Sequence, residues 1–187
     1  MTPMTRTHRP RRTLTTAAVL AALLPTLAGC TVPVAGLTGV TVTAEGEPLG
    51  VILVCHDQVD AAVLYPDEPV TDPGAEATAD AGEPEYTDGW TSAVPVTGYA
   101  TWPLTTPPGF ETATNFWTPD APPHALKPGR LYTLYGTTQD SSWATGHHSF
   151  TPADLKKLTP DQVSYSVGDT VRTTTVADFR AHACEGF

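Results

Sequence analysis

Asp140, Ser141 and Ser142, with His147 and His148 close behind, place an acid, two hydroxyls and two imidazoles within nine positions. Those are the residue types of a hydroxyl nucleophile served by a general base. The rest of such a machine is missing. The chain has no Gly-x-Ser-x-Gly elbow, no Ser-x-x-Lys pair and no His-Glu-x-x-His motif. Nothing nearby supplies oxyanion donors or orients a base. The segment reads as a polar turn at Gln139-Asp140-Ser141 leading into a strand over Ser142–Phe150. On a strand His147 and His148 point to opposite faces, so they do not readily share one ion, and a zinc site needs three or four ligands. His56, His124 and His182 are scattered along the chain. No catalytic residue, metal or other cofactor is therefore assigned.

The aromatics offer binding rather than bond-making. Tryptophans exposed in Pro/Gly-rich loops can stack on sugar rings or proline-rich peptide, whereas buried ones pin loops to a sheet. Trp90, Trp117 and Trp143 are the candidate ligand contacts. Trp102 falls in a predicted strand and reads as packing. Carboxylates crowd residues 66–95, with eight acids and no basic residue. That composition predicts a long acidic loop, a poor support for the fixed carboxylate separation that glycoside hydrolysis needs.

The N-terminus carries an address. Arg6, Arg9, Arg11 and Arg12 precede an apolar stretch from Leu14 to Leu27, the layout of a secretory signal. The stretch is shorter than the roughly 20 residues of a membrane-spanning helix and contains Pro25. It ends in Leu27-Ala28-Gly29-Cys30, which resembles the lipobox of bacterial lipoproteins. The resemblance implies that residues 1–29 are removed and that Cys30 becomes the lipidated mature N-terminus. Two acyl chains on it would give stable attachment. Export runs through the general secretory route or, given Arg11-Arg12, the twin-arginine route.

That assignment leaves Cys55 and Cys184 with only each other as intramolecular partners. Export places them where disulfides persist, and neither has C-x-x-C or zinc-ligand spacing. A bridge between them would close a loop of about 130 residues and contribute up to about 5 kcal/mol in the chain-entropy picture.

Charge narrows the partners. Beyond residue 29 the chain has six basic and twenty acidic residues, a formal charge of −14. Nucleic acid is excluded as a partner, because phosphate binding needs a basic surface. Adsorption to anionic headgroups is disfavoured too, so the acyl group must hold the protein at the membrane. The Ala/Thr/Pro/Gly/Asp bias resembles small lipoproteins of high-GC Gram-positive bacteria.

The elements that would carry these residues are short strands. Residues 31–37 read as a tether and 38–187 as one domain. Strands are predicted at Val40–Thr43, Val51–Cys55, Ala61–Tyr65, Val96–Leu104, Leu131–Tyr135, Gln162–Ser166 and Thr170–Thr175. Gly46-Glu47-Pro48 reads as a turn, and residues 105–129 as irregular. Thr151-Pro152-Ala153-Asp154 is a helix start through about Leu158. Thr175 could cap a last helix over Val176–Cys184, although a strand fits there as well. Nineteen prolines and fifteen glycines favour turns over long helices. The expectation is a mainly β, antiparallel, immunoglobulin-like β-sandwich with one or two short helices.

The functional expectation is a lipid-anchored binding module on the outer face of the cell membrane, with an envelope protein or wall polymer as partner. A wall hydrolase or its accessory, and a structural spacer, are the alternatives.

Overall fold

Alternating and continuous apolar runs build the strands that the computed structural model describes over residues 31–67, 87–105 and 117–185. The lipobox with Cys30, and residues 68–86 of the acidic stretch, lie outside the described residues. The strands are β1 (Val34–Val42), β2 (Pro48–Val54), β3 (Val59–Pro66), β4 (Asp88–Val96), β5 (Tyr99–Pro103), β6 (Trp117–Pro119), β7 (Tyr132–Thr137), β8 (Ala144–Thr145), β9 (His148–Phe150), β10 (Gln162–Val167) and β11 (Thr170–Thr175). Two short helices follow the predicted caps, α1 (Pro152–Leu155) and α2 (Val176–His182).

All the strands join one sheet. β6, β4, β3 and β7 run side by side. The short pieces β8 and β9 then lie along the other edge of β7, and β8 connects to β1. β1 carries β2 and then β5 on one side, and β10 with β11 on the other. The sheet curls until it nearly closes as a barrel. Ile52 of β2 packs over Gly136 of β7 across the interior. Trp102 of β5 meets Trp117 of β6, so these edge strands face each other through their rings.

The mainly β character matches the sequence reading. The pairing is not antiparallel throughout: β1 and β8 are parallel. Parallel neighbours need a long crossover, and here the chain between them builds most of the barrel. Three boundaries also differ. The expected tether is shorter, because β1 begins at Val34. Gly36 resembles linker sequence but sits inside β1, where a Cβ would come within 2.1 Å of the Leu53 carbonyl oxygen. The expected loop 66–95 includes a strand from Asp88 onward, and the expected strand 96–104 is divided between β4 and β5.

Two apolar layers result. The interior one gathers Val40, Ile52, Leu64, Leu134 and Phe150 with the tryptophans. The outer one lies where α2 covers the sheet, with Phe179 against Leu37, Val51, Leu53, Val163 and Tyr165. Thr175 caps α2 through the Asp178 N–H. At the far end of α2, Cys184 meets Cys55 at disulfide distance, with Cα atoms 5.5 Å apart across 129 residues.

The registers fix which residues share an end. β1 ends at Val42 beside the start of β2, and β5 ends beside it, Pro103 pairing with Leu49. β3 ends where β4 and β7 begin, Leu64 pairing with both Asp88 and Leu134. α1 and the start of β10 lie at that same end. The chain enters at the opposite end, together with Cys55 and the β10–β11 turn.

Candidate cleft at the barrel mouth

An open cleft of about 530 Å³ lies at the end remote from chain entry. That volume is in the range of small-ligand pockets. Its walls come from four separate segments: the β1–β2 turn, Thr105 two residues past β5, the 120–131 loop and α1 with the turn after it.

Each wall has a local cause. In the β1–β2 turn, Gly46 adopts φ +85°, open to glycine without a Cβ penalty. The Thr43 hydroxyl accepts N–H bonds from Glu45 and Glu47. α1 starts on a complete capping box, Thr151 and Asp154 each accepting the other's backbone N–H. Lys157 donates to Asp154 at 2.8 Å, and that bond first, then Thr151, pulls the Asp154 carboxyl down to about 2. Leu155 and Leu158, three apart on this turn, face the interior cluster.

The third wall is tied down by a buried acid. Asp88, at the start of β4, is almost completely buried. Its carboxylate accepts the His124 ring Nδ1–H at 2.7 Å and the His124 backbone N–H at 3.2–3.3 Å. Three further bonds fix the loop. The Asp120 N–H donates to the Gly89 carbonyl, the Thr91 hydroxyl to Asp120, and the Lys127 N–H to the Tyr132 hydroxyl at 2.7 Å. Pro123, Ala125 and Leu126 from this loop line the cleft.

The chemistry of the lining is aliphatic. Val42, Pro48, Leu126, Pro152, Leu155 and Leu158 contribute most of it, with Glu47 and Lys156 as its charged groups. Among the described residues no aromatic ring, serine, cysteine or histidine lines the cleft. It can take up a branched or linear aliphatic group beside a charge. It offers no flat ring for a sugar to stack on.

The residues singled out from sequence fall elsewhere. Trp90 and Trp117 are buried in the interior cluster, and Trp143 packs against it half-buried. Burial leaves Trp90 and Trp117 in the packing role, with no open face for ligand. Asp140, Ser141 and Ser142 form the β7–β8 turn, where Asp140 accepts the Ser142 N–H and Ser141 takes φ +58°. His147 is exposed against Tyr135. His148 is fully buried, its Nδ1 at 2.9 Å from the Ser166 hydroxyl, and burial lowers its pKa to about 4. His148 Nε2 has no hydrogen-bond partner among the described residues. The two described clefts are lined by neither His147, His148, Ser141 nor Asp140. Among the described residues, no group of three or more His, Cys, Asp or Glu is placed to hold a metal, and no helix is long and apolar enough to cross a membrane.

Sequence reasoning found two walls of the cleft, the turn at Gly46-Glu47-Pro48 and the capped turn at Thr151-Pro152, without recognising either as a wall. The others carried no motif, because residues from 42 to 158 converge only through strand register. No protein-family model, curated protein or solved structure matches the chain.

Proposed function

We propose that this protein is a lipid-anchored binding module of the cell envelope, held through Cys30, whose binding site is the aliphatic cleft. The observation that carries the reading is the position of the cleft. It lies one strand length, about 30 Å for the nine residues of β1, from the end at which the chain enters. A membrane-anchored module with this layout presents its cleft outward, toward an envelope protein or the peptide part of a wall polymer. Export is supported by the pairing of Cys55 with Cys184. Within this proposal the finer fold assignment remains immunoglobulin-like. The β1–β2–β5 and β3–β4–β7 groups, opposed across the core, support two layers, while the pairing through β8 joins them into one sheet.

A photoreactive residue at Ala125 or Lys156 tests the reading in living cells, with Thr173 as the control position. The expected result is one protein or glycopeptide adduct from the cleft positions, absent at Thr173 and lost when Leu126→Arg fills the cleft. Adducts of equal yield at all three positions, or none at all, would overturn it.

A further inference from the structure

Six large aliphatic side chains stand exposed among the described residues: Val32, Val34, Val94, Leu131, Val167 and Val171. Five of the six share one end of the barrel. Val34 opens β1. Val94 lies near the end of β4, whose Val96 pairs with Val59 at the start of β3. Val167 and Val171 flank the β10–β11 turn. Only Leu131 belongs to the cleft end. These valines are 38–59% exposed, and single exposed valines would need no explanation. Their gathering at the chain-entry end does.

We infer that this end is a bilayer-contacting face, a proposal that rests on lipidation of Cys30. Covalent geometry sets the distance. β1 starts at Val34, so only residues 31–33 separate a lipidated Cys30 from the folded domain. At roughly 3.5 Å per residue the anchor is held within about 14 Å of Val34. A tether so short cannot lift the domain clear of the headgroups, and the valines at that end then meet the interface.

The charge pattern decides the kind of lipid. Asp57, Asp60, Asp140 and Asp169 lie at the same end. The described lysines, and Arg130, lie instead beside the cleft, while Arg172, next to Val171, and Arg180, over the Tyr99 ring, are outnumbered by the acids of the entry end. Such a face is repelled by anionic headgroups and rests shallowly on zwitterionic ones. The valines orient the domain end-on, and the acyl chains hold it there.

The test is hydrogen–deuterium exchange on the lipidated full-length mature protein in phosphatidylcholine vesicles, compared with soluble Cys30→Ser protein. Amides at residues 93–98 and 167–171 should exchange more slowly on vesicles, on the order of tenfold. Residues 120–131 should be unchanged. Val94→Asp with Val171→Asp, both at exposed positions, should abolish the slowing without detaching the protein. Equal exchange at the valine turns, slowing at 120–131 instead, or concentration-dependent slowing without lipid would each overturn the proposal. The anchor is read separately, by the mass of the N-terminal peptide. If that mass shows no lipid, coupling the Cys30 thiol to a maleimide lipid gives the same exchange comparison for the face alone.

Discussion

The ring of Trp102 on β5 lies 4.8 Å from that of Trp117 on β6, tilted by 31°, and joins two edges of the curled sheet through packed indoles instead of backbone hydrogen bonds. Trp90 adds a third ring, 6.3 Å from Trp102. Barrels usually remove their edges by hydrogen-bonded closure. Here packing closes the gap, so these rings carry a share of stability that a ladder would otherwise supply.

Truncating Trp102 or Trp117 to alanine should therefore destabilise the domain by about 3–5 kcal/mol. Both indole N–H groups are buried without a hydrogen-bond partner among the described residues. Phenylalanine keeps a ring and removes that unpaired donor, so Trp117→Phe should cost much less than Trp117→Ala. Urea unfolding midpoints decide the matter, and equal losses for the two substitutions would show that stacking contributes little.

The pairing of Cys55 with Cys184 fastens the far end of α2 over the outer apolar layer. Replacing both by serine should cost about 2–5 kcal/mol. It should also raise exchange at α2 before exchange in β1 or β2, because Phe179 loses its clamp first. Intact-mass analysis after alkylation without reductant should find neither cysteine modified. Two alkylated cysteines would remove the bridge from the account.

Asp88 and His124 make a second, smaller fastening. Asp88→Ala leaves the His124 N–H and ring without their carboxylate, a loss of about 1–3 kcal/mol for a buried acceptor. The 120–127 segment should exchange faster, and the cleft should lose its third wall. An unaltered exchange pattern there would mean that the Asp120 and Lys127 bonds suffice to hold the loop.

What could be read beforehand followed the range of the interactions involved. The run Val51-Ile52-Leu53-Val54 and the Thr151…Asp154 capping box are local signals, and both gave the right element. Cys55 and Cys184 were matched by elimination, which works across any distance. β6 has only three residues, Trp117-Thr118-Pro119, and exists because β4 lies beside it. The Ser142–Phe150 stretch reads as one strand in the sequence. It breaks at Gly146, whose N–H turns to the Gly36 carbonyl, leaving β8 and β9. Loop-forming neighbours leave both roles, packing and ligand contact, open to the tryptophans in the sequence. Their burial depends on the curl that brings β5 to β6, which local sequence does not encode.

His148 should set the acid limit of the fold. A histidine in the unfolded chain titrates near 6.5, whereas in the barrel, desolvated beside Phe150, it titrates at about 4. The folded value is lowered, so the unfolded chain takes up this proton first. The contribution is complete above about pH 6.5 and is lost as pH falls toward 4. It amounts to about 3 kcal/mol across that interval. Asp154 titrates at about 2 in the fold, so its own contribution fades only below its ordinary value of 3.8. His182, raised by Glu185, is exposed and acts in the opposite sense. Unfolding midpoints measured from pH 7.5 to 4.5 should fall for the native protein. They should stay nearly level for His148→Gln, which keeps a polar group near Ser166 and cannot take up a charge. Parallel declines in the two proteins would assign the acid sensitivity to other groups.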